Sequence, residues 1–163
     1  MDETTVAAKT LIELCADNKL TIATAESCTG GLVAGALTEI AGSSAVLDRG
    51  FITYSNTAKR QMLGVPAATL RDYGAVSRQT AEAMAQGALT KAKVDLVVAI
   101  TGIAGPGGGS ADKPVGLVHF AAAARNGTTM HAAKRYGDIG RAKVRHKSVL
   151  QALEMLQTLA EQN

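Results

Sequence analysis

The order of apolar and polar positions predicts helices and strands that alternate along most of the chain. Apolar side chains recur at helical spacing over residues 5–17, which predicts a first helix that stops at Asp17-Asn18. The β-branched run from Leu20 to Ala25 predicts a short buried strand. After Gly30-Gly31, the segment LVAGALTEIAG favours a helix to about Ile40. The chain therefore begins as helix, strand, tight turn and helix.

The middle of the chain continues this alternation. The segment AVLDRGFITYS predicts a second strand that ends near Tyr54 or Ser55. Asn56 is a suitable cap for the helix that follows, and Gly64 is suited to end it. A further short helix is predicted over Ala67–Tyr73. A strong helical pattern, SRQTAEAMAQGALTKAK, then leads to VDLVVAITG, an apolar run typical of a strand buried on both faces.

This alternation predicts the fold class. Strands joined by helices imply right-handed crossovers and a mostly parallel sheet that is covered on both sides. Asn126-Gly127 lies between two strand-like segments, which predicts an antiparallel hairpin, and a last helix is expected from about Ile139 to Glu161. We expect an α/β protein, a three-layer α/β/α sandwich with a mostly parallel central sheet and an antiparallel C-terminal hairpin.

Length and composition narrow the class of protein. The 163 residues suit one domain over residues 1–163, with 47% hydrophobic and 19% charged residues. No apolar run approaches the roughly 20 residues that span a bilayer, and the first residues do not have the pattern of a signal peptide. We expect a cytoplasmic protein with no membrane partner. Cys15 and Cys28 are expected to stay reduced thiols, with no disulfide and no metal site.

The positive charge is unevenly distributed. The formal net charge is +3, and the segment RAKVRHK (141–147) carries a local basic patch. Nucleic acid is one possible partner, but aromatic residues are only 3% of the chain and form no visible stacking platform. An anionic small molecule explains the patch equally well. Arg141 and Arg145 share one face of the last helix, either as a solvated stripe or as ligands for a phosphate.

Candidate chemistry is concentrated where predicted strands end. Open α/β sheets bind ligands outside the carboxyl ends of their strands. Three segments close predicted strands there, AESCTGG (25–31), TYSNTAK (53–59) and TGIAGPGGGS (101–110). We expect any active site to lie where these three segments meet.

The first of these segments offers a nucleophile. Ser27 and Cys28 precede a predicted helix, whose free backbone N–H groups and positive dipole end can stabilise an oxyanion. The alternative is that Ser27 only caps the helix. Glu26 can orient a neighbour or tune charge, or it is structural. A serine also needs a base, and the three histidines lie in strand or basic helix patterns that suggest no Ser-His-Asp arrangement.

The second segment offers a base for this serine. Lys59 follows Asn56 by about one helical turn, so its side chain can point back to the strand end. A lysine acts as a base only where burial or nearby positive charge lowers its pKa. Tyr54 can orient the lysine or relay the proton. The alternatives are a solvated helix lysine and an ordinary half-buried aromatic side chain.

The third segment contains five glycines in ten residues. Such a backbone can wrap closely around a ligand and present its N–H groups, as in phosphate-binding loops. It is neither a P-loop nor a GxGxxG motif that opens a helix. A mobile connection is the alternative interpretation.

Taken together, the motifs resemble one known family. TAESCTGG, AGSSAVLDRGFITYSNTAK, YGAVS, ITGIAGPGGGS, KPVGLV and GRAKVRHKSVLQAL occur in this order and cover nearly all of the chain beyond the first helix. The sequence resembles the C-terminal domain of the competence-damage-inducible CinA proteins, whose stand-alone members include nicotinamide mononucleotide amidases of the PncC type. The larger N-terminal domain of full-length CinA proteins has no counterpart in this sequence.

The resemblance implies an activity and a set of site residues. It implies a Ser/Lys hydrolase that converts nicotinamide mononucleotide to nicotinic acid mononucleotide and ammonia without metal or cofactor. Ser27 would be the nucleophile, Lys59 the general base and Tyr54 an assisting hydroxyl. The expected substrate contacts are Cys28, Thr29, Gly30, Gly31, Thr101, Gly102, Ile103, Ala104, Gly105, Arg141 and Arg145. A homo-oligomer is also expected.

Three alternatives to a hydrolase with Ser27 as its nucleophile stay open at the level of sequence. Cys28 could be the nucleophile, because a helix N-terminus also activates a thiolate. The chain could be a nucleotide-binding or regulatory module that turns nothing over. Nucleic-acid binding, which rests only on residues 141–147, is the third alternative.

Overall fold

The computed structural model describes residues 1–163 as one five-stranded sheet with helices on both faces. The helices are α1 (Glu3–Asp17), α2 (Leu32–Thr38), α3 (Asn56–Leu63), α4 (Ala67–Tyr73), α5 (Arg78–Ala92) and α6 (Arg141–Glu161). The strands are β1 (Ile22–Glu26), β2 (Leu47–Ile52), β3 (Leu96–Gly102), β4 (Leu117–Ala124) and β5 (Thr129–Arg135), and a turn of 3₁₀ helix covers Ser43–Ala45. The predicted α/β architecture is confirmed.

The sheet is mixed, with the strand order β2-β1-β3-β4-β5. Strand β1 pairs in parallel with both β2 and β3. Strand β4 is antiparallel to β3 and to β5, and the last pair is the hairpin predicted at Asn126-Gly127. Strands β3 and β4 are joined by residues 103–116, which contain no helix to carry the chain back across the sheet. The parallel part of the sheet is therefore β2, β1 and β3.

The core lies on both faces of the sheet. Along β3, Leu96, Val98 and Ile100 contribute to a cluster with α1, α2 and α6, whereas Val97 and Ala99 pack toward α5 on the opposite face. All five side chains are fully buried. This explains why β3 reads as a continuous apolar run, since a strand covered on both faces has no polar side. No helix is both long enough and apolar enough to cross a membrane.

The observed ends of α3 and α2 differ in part from the predicted ones. Helix α3 is capped by Ser55, whose Oγ accepts from the Ala58 N–H at 3.0 Å, so the predicted cap at Asn56 was wrong by one residue. The helix ends at Gly64, which adopts the left-handed conformation at φ 67° that glycine tolerates best. Helix α2 ends at Thr38, earlier than predicted.

The carboxyl ends of the three parallel strands meet at one edge of the sheet. Residue Glu26 of β1 pairs with Ile52 of β2 and with Ile100 of β3. Pairing continues one residue further, because the Ser27 N–H donates to the Ile100 carbonyl at 2.9 Å and the Thr53 N–H to the Glu26 carbonyl at 2.8 Å. The three glycine-rich or polar segments therefore start side by side.

Candidate active site

Ser27 and Lys59 meet at this edge of the sheet. Ser27 is the first residue after β1, and Lys59 lies in the first turn of α3 with its side chain directed inward. The Lys59 Nζ atom is 3.0 Å from the Ser27 Oγ atom. Ser27 is 7% exposed and Lys59 is 1% exposed, so the pair is shielded from bulk water.

The other contacts of Lys59 are main-chain carbonyls. Its Nζ donates to the carbonyl oxygens of Thr53 at 2.9 Å and Tyr54 at 3.2 Å. Its amine makes no ion pair with a carboxylate. Burial lowers the pKa of Lys59, because a charged ammonium loses hydration that the site does not fully replace. At a given pH, a larger fraction of Lys59 is therefore the neutral amine than of an exposed lysine.

The three oxygen neighbours of Lys59 fit either protonation state, since an ammonium can donate to all three and a neutral amine can donate to two and accept from the third. An uncharged amine has two N–H donors and one lone pair. The carbonyls of Thr53 and Tyr54 can only accept, so they take the two donors. The third neighbour, Ser27 Oγ, is a hydroxyl that can donate to the lone pair. The arrangement can therefore pass the Ser27 proton to Lys59 without any side chain moving.

Tyr54 contributes its main chain to this pair and directs its side chain elsewhere. Its carbonyl accepts from Lys59 and lies 3.5 Å from Ser27 Oγ. Its side chain is 60% exposed, and its hydroxyl accepts from Arg141 Nη2 at 2.9 Å. The phenol makes no hydrogen bond to Ser27 or Lys59, so the geometry does not provide the assisting hydroxyl that the resemblance implies.

The two arginines on α6 have different contacts. Arg141 donates from Nη1 to the Gly105 carbonyl at 2.8 Å and so joins the glycine-rich loop to Tyr54. Arg145 donates to the carbonyls of Cys28 at 3.0 Å and Thr29 at 3.3 Å. Arg141 borders the cavity at Ser27, whereas Arg145 borders a separate cleft of about 640 Å³ between α1, α2 and α6. Only Arg141 faces the space next to the serine.

A cavity of about 260 Å³ opens in front of Ser27 and Lys59. Of the predicted contact residues, it is lined by Cys28, Thr101, Gly102, Ile103, Ala104, Gly105 and Arg141. Thr29, Gly30, Gly31 and Arg145 do not line it. Sequence reasoning missed Ala75, Val76, Gly107 and Gly108. The first two carry no reactive group, although they belong to YGAVS, one of the segments that carry the family resemblance.

Four residues of the glycine-rich loop that line this cavity have free backbone donors. The backbone N–H groups of Ala104, Gly105, Gly107 and Gly108 donate to no protein acceptor. Gly105 has φ 88°, and a side chain there would put its Cβ 2.6 Å from Val115 Cγ1. Glycine is therefore required at this position both for the backbone conformation and for space.

The N-terminus of α2 differs from expectation, because the protein itself fills it. The Glu26 carboxylate accepts from the N–H groups of Val33 at 2.9 Å, Ala34 at 3.1 Å and Gly31 at 3.2 Å. These donors are not available to an oxyanion, so the predicted anion site at α2 was wrong. The backbone N–H groups of Cys28 and Thr29 donate to no protein acceptor and are the free donors nearest to Ser27 in the chain.

The remaining candidates for nucleophile and base are less suitable. Cys28 is 5% exposed, and burial raises the pKa of its thiol to about 11, so the reactive thiolate is scarce at neutral pH. His119 and His131 stack on each other, with 3.1 Å between Nδ1 and Nε2, and neither borders the cavity. His146 lies on the exposed surface of α6. Ser27 therefore has Lys59 as its only basic side-chain partner.

Comparison with known proteins identifies the family of this chain. The sequence profile of the CinA C-terminal domain matches residues 4–160. A relative from Enterobacter agglomerans, named nicotinamide-nucleotide amidohydrolase PncC, is 56% identical over 112 residues, which cover 69% of this chain and 68% of that protein. A CinA-like protein from Synechococcus sp. (strain RCC307) is 50% identical over 156 residues, which cover 95% of this chain and 37% of that protein.

The solved structures include a near match over the whole chain. The crystal structure of the competence/damage inducible protein CihA from Agrobacterium tumefaciens superposes with a TM-score of 0.96 at 60% identity, and the match covers 98% of this chain and 96% of that one. The chain spans about a third of the length of several of its curated relatives. From the profile match and these identities, the chain belongs to the CinA C-terminal domain family.

Proposed function

We propose that this chain is an amidohydrolase that converts nicotinamide mononucleotide to nicotinic acid mononucleotide and ammonia. The observation that carries the proposal is the 3.0 Å contact between Ser27 Oγ and a buried Lys59 Nζ whose other two partners are carbonyl oxygens. The substrate is suggested by the name of the Enterobacter agglomerans relative, nicotinamide-nucleotide amidohydrolase.

The first step is acylation of Ser27. Neutral Lys59 accepts the hydroxyl proton as Oγ attacks the carboxamide carbon, and a tetrahedral oxyanion forms. The proton then passes from the Lys59 ammonium to the amide nitrogen, the C–N bond breaks, and ammonia leaves. Lys59 returns to its neutral form, and the acyl group is held on Ser27 as an ester.

The second step is hydrolysis of this ester. Lys59 takes a proton from water, the resulting hydroxide attacks the ester carbon, and the proton is returned to Ser27 Oγ as the acid product leaves. Because Lys59 is the only basic side chain in contact with Ser27, it serves as base in both steps.

The oxyanion needs donors that the protein does not already use. The Cys28 N–H meets this requirement, because Cys28 lines the cavity and Glu26 occupies the donors at the start of α2. A donor of this kind contributes about 3 kcal/mol to the transition state. Arg145 donates to the carbonyls of Cys28 and Thr29 and so fixes the two peptide planes that follow the Cys28 N–H.

The rest of the substrate would lie along the glycine-rich loop. The four free N–H groups of the glycine-rich loop and the cation of Arg141 favour an anionic group, and we assign the ribose phosphate to them. Ala75 and Val76 supply an apolar side of the cavity for the pyridine ring. Tyr54 acts through its carbonyl on Lys59 and through its hydroxyl on Arg141.

The test is to incubate the pure protein with nicotinamide mononucleotide and identify the pyridine product by mass while ammonia is measured. We expect nicotinic acid mononucleotide and one ammonia per turnover. Ser27→Ala should abolish both, while Ser44→Ala, at an exposed position in the 3₁₀ turn, should behave as wild type. Saturable binding without product would instead identify a binding module, and full activity of Ser27→Ala would exclude the serine as nucleophile.

A further inference from the structure

Glu26 is a buried carboxylate surrounded entirely by donors. It is 1% exposed, and it forms no ion pair. Its Oε1 accepts from Thr29 Oγ1 at 2.6 Å, Val33 N–H at 2.9 Å and Gly31 N–H at 3.2 Å. Its Oε2 accepts from Ala34 N–H at 3.1 Å and Thr24 Oγ1 at 3.3 Å. Five donors thus converge on one side chain.

These donors come from both sides of the turn that carries the candidate nucleophile. Thr24 lies on β1, and the three N–H groups belong to the start of α2 and its cap. The cap residue of α2 is Gly31, which has no side chain to satisfy these groups. Glu26 therefore replaces a conventional helix cap and ties β1 to α2 around the Ser27–Gly30 turn.

We propose that Glu26 is the positioning residue of the site, whose charged carboxylate holds the Ser27–Gly30 turn so that Oγ faces Lys59 and the Cys28 N–H faces the cavity. The expected loss of kcat rests on the proposed hydrolase function, whereas the role of Glu26 in holding the turn does not. Glu26 makes no hydrogen bond or ion pair with Lys59, so it acts on the geometry of the nucleophile and leaves the base alone.

The five donors around Glu26 require a carboxylate rather than an amide. Glutamine has the same shape, but only one of its terminal atoms accepts hydrogen bonds. With the amide oxygen in the place of Oε1, the amide nitrogen points its N–H groups at the Ala34 N–H, and two donors then face each other. Glu26→Gln therefore fills the same volume and still weakens the start of α2.

The experiment compares Glu26→Gln with Glu39→Gln, which makes the same change at the exposed C-terminal end of α2. Both are assayed with nicotinamide mononucleotide for kcat, KM and the pH dependence of kcat/KM, and both are examined by amide hydrogen exchange read by mass spectrometry. Thr29→Val, which removes only the 2.6 Å bond to Oε1, serves as a milder second variant if Glu26→Gln does not fold.

The expected result for Glu26→Gln is a fall in kcat of roughly 10- to 100-fold, the effect of a small misplacement of a reacting group, with little change in KM. The midpoint of the pH profile should not move, and exchange should become faster in peptides covering residues 27–34 but not elsewhere. Thr29→Val should show the same pattern to a lesser degree, and Glu39→Gln should match wild type.

Two results would overturn the inference. One is wild-type kcat together with wild-type exchange at residues 27–34. The other is faster exchange along the whole chain with kcat and KM changed together, which would mark a purely structural carboxylate. If wild type itself releases no ammonia, the proposed function fails, but the exchange comparison still decides whether Glu26 holds the turn.

Discussion

Lys59→Met is the substitution that separates the proposed base from the fold around it. Methionine has nearly the length and volume of lysine, so the buried space in α3 stays filled, but it offers neither a donor nor a lone pair. The change removes the partner of Ser27 Oγ and the donor to the carbonyls of Thr53 and Tyr54. It leaves all other contacts of the site in place.

The expected size of each effect follows from these three contacts. A general base contributes about 10²- to 10⁴-fold, so kcat should fall within that range. Tyr54 borders the cavity and its carbonyl can turn to water, whereas Thr53 is fully buried. One unpaired buried carbonyl costs about 1–3 kcal/mol, so the free energy of unfolding should decrease by that amount at most. Part of this loss of stability is offset, because the variant no longer has to bury an amine on folding.

The assay is ammonia release under saturating nicotinamide mononucleotide, corrected for the folded fraction from urea unfolding of the same preparation. Lys91→Met, at an exposed position on α5, is the matched control and should keep wild-type kcat and stability. A folded Lys59→Met protein whose kcat matches that of the control would refute the assignment of Lys59 as base.

Three further predictions concern the groups around this pair. Because burial lowers the pKa of Lys59 below the ordinary 10.5, kcat/KM should rise with pH to a plateau reached below that value. In the unfolded chain the lysine keeps its proton to a higher pH, so the free energy of unfolding should rise with pH between the folded and unfolded pKa values and be flat below both. Urea titrations of Lys59→Met at several pH values should lack this rise. Tyr54→Phe should raise KM by about 3- to 10-fold, the value of one hydrogen bond to Arg141, while a far larger loss in kcat would make the phenol catalytic. Cys28→Ala should lower kcat much less than Ser27→Ala does, because the thiol pKa of about 11 keeps it protonated; equal losses in the two variants would favour the thiol as nucleophile.

The sequence was most informative where local patterns decide structure. The apolar run of β3 and the Asn126-Gly127 hairpin are local signals, and both elements form as predicted. The ends of β1 and β2 were predicted to bring Ser27 and the first turn of α3 together, and the structure places the two side chains in contact. Residues that follow parallel strands must meet at one edge of the sheet, so this proximity needs no knowledge of side-chain packing.

Other features depend on contacts that no local pattern encodes. The capture of the α2 N-terminus by Glu26 requires a side chain to reach across a turn, and its signal is an acid beside the serine with no evident partner. The Tyr54 hydroxyl accepts from Arg141, 87 residues further along the chain, so its direction could not be predicted from the local sequence. Arg141 and Arg145 share a helix face, yet only the packing of α6 decides that they serve different clefts.

The central claim is that the acyl group passes through Ser27 with Lys59 as the base. Hydroxylamine tests this claim directly, because it intercepts an ester intermediate and yields the hydroxamate of nicotinic acid mononucleotide, which mass spectrometry separates from the acid. We predict that the wild-type protein forms hydroxamate at the expense of acid and that Ser27→Ala forms neither. Turnover of the amide with no hydroxamate at high hydroxylamine, or hydroxamate formed equally by Ser27→Ala, would contradict the account.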